Sequence, residues 1–333
     1  MTGTVKSVVI NKPPFRPGTH ISMTEVNLIL NAGGIGDYIN WVPAIRYAID
    51  HNPHIRGLIL TPRYFEELAR HWLGQYSPRF TVRVYDDLDK EGWLERCPSI
   101  VPNREQYANA TGFHLMELGF VYYNQDSRIP ADYAKLPEIR GDEADVGKFK
   151  IPPNYAVITT MATVENRKLP AGVINEITDH LKQNGIVPVF LGKHQLNDSY
   201  KAKTDDAIST AGVVDLRDKT DLLEAAVILS GAHFVLGLDN GLIHLASCSD
   251  VPIISIFTTI DPDLRVAPRC ARTIVVTPPE SLTCRFCNSN MRYLIGFDFK
   301  DCLYKDNLCV NSIKASDITP QIDKLLKETN HGN

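Results

Sequence analysis

Short apolar runs alternate with helix-period stretches along this chain, and the alternation breaks once, in the middle, before starting again. In the first half Val26–Leu30, Gly57–Leu60 and Phe80–Val84 read as strands, and Tyr38–Asp50, Pro62–Leu73 and Arg104–Leu118 as helices. A strand followed by a helix cannot return through a tight hairpin, so the next strand lies parallel to the first and the helix covers a sheet face. Between Ile129 and Pro153 prolines and charges replace the pattern, as in a connection between units. The grammar then resumes. Strands are expected at Tyr155–Thr160, Ile186–Leu191, Val213–Leu216, Phe234–Gly237 and Val251–Phe257. Helices are expected at Pro170–Asn184, Asp198–Ala211, Lys219–Ser230 and Gly241–Cys248, with Pro170 acceptable in a first turn. The prediction is an α/β protein of two doubly wound parallel-sheet lobes, with a ligand cleft between the carboxyl ends of their strands. Residues 1–150 form the N-terminal lobe. Residues 151–333 form the C-terminal lobe, with a cysteine-containing segment at 280–310 and a terminal helix.

A length of 333 residues suits two hydrophobic cores better than one. The formal charge of −4 is the sum of two nearly balanced halves, −1 over residues 1–150 and −3 over residues 151–333, which argues against a basic nucleic-acid surface. No apolar run reaches membrane-spanning length. The polar, proline-containing first residues and the odd count of seven cysteines point to a reducing, cytoplasmic setting.

Two glycine-rich turns carry the chemistry. In "LNAGGIGDYINWVPAI", residues 30–45, a strand runs into Gly33, Gly34 and Gly36, and Asp37 stands where a helix begins. Glycines admit a close neighbour, whereas a fixed carboxylate is no use to a phosphate. A helix cap is the plainer reading of Asp37, and what else a fixed carboxylate would do at this turn is a question the stretch alone leaves open. As a dinucleotide fingerprint the stretch fails, because Ile39 replaces the third glycine and Arg63 stands after the second strand where an acid belongs. In "GLDNGLIHLASCSDVPIISIF", residues 237–257, a buried strand ends at Asp239-Asn240-Gly241 and His244 follows in the first helical turn. Helix-start N–H groups there suit a diphosphate; Asp239 as a cap and His244 as an interior histidine are the plainer alternatives.

The second stretch resembles the Asp-Ser/Thr-Gly-x-x-His-Leu-Ala signature of glycosyltransferase family 9, the ADP-heptose:lipopolysaccharide heptosyltransferases and their relatives. Gly34-Ile35-Gly36-Asp37 with Pro43 is similar to the opening turn of that family. "ENRKLP" resembles its basic residue before Trp-Pro, with Leu169 in place of the tryptophan, and "TDLLEAAVILSGAHF" its Leu-x-Glu helix. The family's Gly-Pro loop departs here to Phe257-Thr258-Thr259-Ile260-Asp261-Pro262. The likeness runs over roughly residues 26–325 and is strongest at 237–262.

The resemblance implies a GT-B fold of Rossmann-like lobes and an inverting, metal-independent transfer from a nucleoside-diphosphate sugar to an acceptor hydroxyl. Asp37 would be the general base. Gly33, Gly34, Gly36, Asp239, Asn240, Gly241, His244, Thr258 and Thr259 would line the donor and substrate, with a cation from Arg167, Lys168 or Lys193. A terminal helix near Ser316–Glu328 would cross back to the first lobe. The family's default acceptor is a lipopolysaccharide core sugar at a membrane surface. A hydroxylated nucleobase in DNA or a small molecule is the alternative acceptor, and a nucleotide-sugar epimerase or a non-catalytic binder the alternative activity. No cofactor is implied for catalysis. Cys284, Cys287, Cys302 and Cys309 have three readings: a structural zinc site, oxidised pairs or reduced thiols under a loop. Asp86, Asp87 and Asp89 read as a solvated acidic turn, and Tyr122 and Tyr123 as candidates for the acceptor side.

Overall fold

The computed structural model describes residues 25–30, 34–84, 99–100, 133, 136–139, 141–162, 164–194, 206–264, 272–287, 302, 304 and 306–330. Two wholly parallel sheets organise them. The first joins β1 (Glu25–Ile29), β2 (Arg56–Thr61), β3 (Phe80–Val84) and the two-residue β4 (Ser99–Ile100) in the order β3-β2-β1-β4. The second joins β5 (Tyr155–Thr159), β6 (Val187–Leu191), β7 (Val214–Asp215), β8 (Val235–Leu238), β9 (Ile253–Ile256) and β10 (Thr273–Val276) in the order β10-β9-β8-β5-β6-β7. The expected class, two Rossmann-like parallel α/β sheets, is what the chain forms. β4 was not expected, since two residues carry no periodicity to read.

Helix α1 (Ile35–His51) crosses from β1 to β2, and its buried residues Tyr38, Trp41, Val42, Ile45, Ala48 and Ile49 recur at three- and four-residue spacing along one face. α2 (Glu66–Leu73) crosses from β2 to β3 after a 3₁₀ turn at Arg63–Phe65, so the run expected from Pro62 is helical in two styles. In the second half α3 (Ala171–Gln183), α4 (Leu222–Ser230) and α5 (Gly241–Ala246) precede β6, β8 and β9. α6 (Leu308–Asn311) and α7 (Ala315–Asn330) close the described chain. α4 begins three residues later than expected because Asp221 caps it. The Asp221 carboxylate accepts the Glu224 N–H at 2.8 Å, and Glu224 returns a bond to the Asp221 N–H at 3.1 Å. Residues 206–211 of the helix expected over Asp198–Ala211 form turns, and the rest of it, like the Arg104–Leu118 helix, lies outside the described residues.

Strand alternation divides the core in two. Val157 of β5 and Val189 of β6 face one way, Ile158 and Phe190 the other. The first face joins α4, α5, α1, α2 and the first sheet in one continuous apolar cluster. The second packs on α3 and α7, where Ile318, Ile322 and Leu325 are buried. Among the described residues the terminal helix therefore rests mainly on α3, β9 and β10 of the second sheet, whereas the resemblance implied a crossing back to the first lobe. Its apolar stripe already matches the face that the second sheet leaves open there. The proline-rich connection is also anchored: Trp72 donates its indole N–H to the Pro137 carbonyl at 2.9 Å, and Leu136 and Ile139 are buried.

The α4 cap gives a stability test. Asp221→Ala should cost about 1 kcal/mol and lower Tm by roughly 2 °C, while Asp221→Asn, which keeps the accepting oxygen, should stay near wild type in a thermal melt.

Candidate functional site

In each sheet one strand is the point from which the chain winds outward both ways. β1 lies between β2 and β4, and β5 between β6 and β8. The loops leaving the carboxyl ends of two such strands diverge and open a crevice where ligands bind. The loops after β1, β5, β8 and β9 carry Gly34–Asp37, Thr160–Arg167, Asp239–Asn240 and Phe257–Thr259. Gly34, Gly36, Asp37, Arg167, Asp239, Asn240, Thr258 and Thr259 fall on these four stretches, and Gly241 and His244 follow in α5.

Asn240 ties the second crevice together. Its amide donates to Thr159 Oγ1 at 2.8 Å and to the Met161 carbonyl at 3.0 Å, which joins the end of β8 to the end of β5. Its Oδ1 accepts from the Leu242 and Ile243 N–H groups, so it is the N-cap of α5 and already uses two of that helix's amides. Asp239 precedes it, 8% exposed, with one carboxylate oxygen 3.3 Å from Arg167 Nη1 and the other 3.3 Å from His244 Nε2. A buried carboxylate is costly without partners, and here it has a guanidinium and an imidazole. Arg167 also donates Nε–H to Thr259 Oγ1 at 3.0 Å. The Thr258 hydroxyl donates to the Asn166 carbonyl at 2.9 Å, fixing the turn that holds Arg167.

The first crevice meets the second through glycines. A Cβ on Gly36 would stand 2.5 Å from His244 Cδ2, and a Cβ on Gly241 would stand 2.7 Å from Ile35 Cβ. The starts of α1 and α5 are therefore in contact that larger residues would forbid. Buried Asn40 donates back to the Gly36 carbonyl at 2.7 Å and keeps that turn regular. Asp37 Oδ2 accepts the Gly34 N–H at 2.7 Å, which makes it the third-position partner of the helix start.

The other sequence candidates separate. Lys168 is held by Glu165 at 2.7 Å, and Lys193 stands 3.9 Å from Asp218 on an exposed rim after β6. Among the described residues, Arg167 bonds to both Asp239 and Thr259. Gly33, Asp86, Asp87, Asp89, Tyr122 and Tyr123 lie outside the described residues. Asn166 was missed, because its part is played by a main-chain oxygen and no side-chain pattern signals that. Also missed was Arg217, which is 4% exposed and grips Asp215 with two bonds of 2.8 and 2.6 Å at the end of β7. Burial works against ionisation of Asp215, but the bonds and charge of Arg217 outweigh it and hold the carboxyl below its usual range.

The four cysteines gather around one small cavity beside this site. Burial, then the nearby Cys287, Cys302 and Cys284, pushes the Cys309 thiol up to about 12. Burial first also raises the Cys284 thiol, and Cys302 and Asp306 add to it. Four thiols are suitable ligands for zinc. Among the described residues, however, no three His, Cys, Asp or Glu side chains stand close enough together to hold a metal ion. No helix among the described residues is long and apolar enough to cross a membrane.

A family model described as glycosyltransferase family 9 (heptosyltransferase) matches residues 122–288. No curated protein matches the sequence. Among solved structures, the chain is similar to the iron-containing dodecameric glycosyltransferase TibC of enterotoxigenic E. coli H10407. The identity is 17%, the TM-score 0.69, and the alignment covers 92% of this chain and 77% of that one. TibC has also been solved in complex with ADP-D-β-D-heptose. A family 9 glycosyl transferase from Veillonella parvula DSM 2008 aligns at 12% identity and TM-score 0.62, over 92% of this chain and 98% of that one. E. coli ADP-heptose LPS heptosyltransferase II aligns at 12% identity and TM-score 0.61, over 92% and 99%. At these identities the likeness is one of fold.

The glycine contact is open to a direct test. Gly36→Ala should overpack the α1–α5 junction and cost about 1–3 kcal/mol in a denaturant melt. The double variant Gly36→Ala/His244→Ala should recover most of that loss, since it removes the ring being struck. A double variant no more stable than Gly36→Ala would place the strain elsewhere.

Proposed function

The chain belongs to glycosyltransferase family 9, and from that premise we propose an inverting transfer from a nucleoside-diphosphate sugar to an acceptor hydroxyl, with no catalytic metal. Residues 1–150 are assigned to the acceptor and residues 151–333 to the donor. The reading is carried by one observation: the Arg167–Asp239–His244 chain lies at the second crevice and abuts, through Gly36, the turn that bears Asp37.

The acceptor oxygen attacks the anomeric carbon from the side opposite the diphosphate. As that bond forms, its proton passes to the Asp37 carboxylate, and the bond from the anomeric carbon to the phosphate oxygen breaks with its electron pair. A carboxylate has about four lone-pair sites, so the Gly34 N–H on Oδ2 orients Asp37 without exhausting it. The leaving diphosphate gains negative charge. The planar guanidinium of Arg167, set by Thr259 and Asp239, is suited to meet it with paired N–H groups. Lys193 on the rim can add charge at longer range. TibC in complex with ADP-D-β-D-heptose supports a nucleotide-activated heptose as donor, and a glycan hydroxyl is the proposed acceptor. The cysteine segment has a structural part, and no step of the transfer passes through it.

Asp37→Asn keeps an oxygen for the Gly34 N–H and removes basicity. Its kcat should fall by roughly 10²–10⁴-fold while donor Kd and Tm hold. A capping role alone predicts a near-normal rate in Asp37→Asn and lost stability in Asp37→Ala. For the donor side, Arg167→Ala should weaken nucleotide-sugar affinity about 10- to 100-fold by calorimetry, the scale of a lost charge-assisted bond. Unchanged affinity in a folded variant would remove Arg167 from the donor site.

A further inference from the structure

The cavity walled by Cys284, Cys287, Cys302 and Cys309 is completed on its other side by Asn166 and Thr259. Those two residues also fix Arg167. Thr259 accepts its Nε–H, and Asn166 is its neighbour in a single 3₁₀ turn, Glu165–Arg167. The Asn166 carbonyl takes the Thr258 hydroxyl at 2.9 Å and the Cys309 thiol at 4.0 Å. Asn166 is 2% exposed, and its side-chain Oδ1 is buried with no hydrogen-bond partner among the described residues. α6, which carries the 5% exposed Cys309, packs against this same turn.

One turn of 3₁₀ helix has little rigidity of its own, so its position follows what it packs on. Among the described residues, the main-chain bonds within it run from Arg167 N to Val164 O and from Lys168 N to Glu165 O. We propose that the four-cysteine cavity is a positioning element of the donor site: through Asn166 and Thr259 it sets where the Arg167 guanidinium stands. Cys309 and Asn166 are positioning residues, and a change in the cavity's filling or thiol packing moves Arg167 against Asp239. The Asn166 oxygen, unpartnered among the described residues, fits this part, because buried polar groups rigidify their surroundings when fully satisfied and this amide is held short of that. The proposal rests on the reading of Arg167 as the cation for the donor diphosphate.

The test is a double-mutant cycle read by calorimetry. ADP-D-β-D-heptose, UDP-glucose and GDP-mannose are titrated into the wild-type protein, and the tightest binder is the probe. Cys309→Ala should weaken probe affinity about tenfold with the wild-type background, and cause no further loss with Arg167→Ala. An equal loss in both backgrounds, or none in either, overturns the proposal. Should Cys309→Ala fail to fold, Cys302→Ser at the more exposed side of the cavity carries the same cycle and the same criteria. Wild-type affinity in Arg167→Ala itself would instead strike the donor reading, and so would a wild-type protein that binds none of the three sugars.

Discussion

Two helix starts pressed together set the character of this site. α1 and α5 meet at Gly36 and Gly241, each glycine making room for a side chain of the other helix. The first-turn N–H groups of a helix carry partial positive charge, and here two such ends converge from different sheets. Left alone they would repel. Acidic groups answer them, Asp37 on the first start and Asp239 beside the second, together with the oxygen of Asn240. The place where the halves touch thus sets two partly positive helix ends against the carboxylates of Asp37 and Asp239.

Much of the fold could be read before any coordinates, because period-2 and period-3.6 patterns survive in long elements. β5 and β6 were legible as apolar runs, and α1 as a stripe. What failed was short or context-bound. β4 is too brief to show a period, and the terminal helix carries an apolar face without saying which sheet it serves. At the site, sequence singled out the aspartate, histidine and glycine turns but left three cations open. The structure separates them on local grounds. Adjacent residues leaving a 3₁₀ turn diverge, so Arg167 reaches Asp239 while Lys168 is taken by Glu165. Asn166 could not have been found by pattern, since its main-chain carbonyl joins the Thr258 hydroxyl to the Cys309 thiol across segments far apart in sequence.

The two sheets do not make separate cores. One apolar cluster runs from the first sheet through α1 and α2 to α4, α5 and the near face of the second. Charges seal its edge. Lys148, from the connection, binds the carboxylate of buried Glu224, and Glu67 of α2 is raised by burial and then by Asp221, Glu224 and Glu66 nearby. The connection that reads as a loose linker by composition is part of this seal, through Leu136, Ile139 and Lys148. Proline and charge there make a fitted strap.

The central place of β5 also bears on how the molecule comes into being. A ribosome releases the chain from its first residue, so β5 emerges next to α3 and β6, with which it can assemble at once. Its other edge must wait for β8, and β9 and β10 then add outward from there. Every residue of β5 is buried in the finished protein. For the whole interval between the synthesis of β6 and that of β8, a strand destined for burial presents an unpaired row of amides and carbonyls to the cell. The half-made second sheet is therefore a stage at which this protein is exposed to mispairing, and the arrival of the Phe234–Leu238 segment ends it.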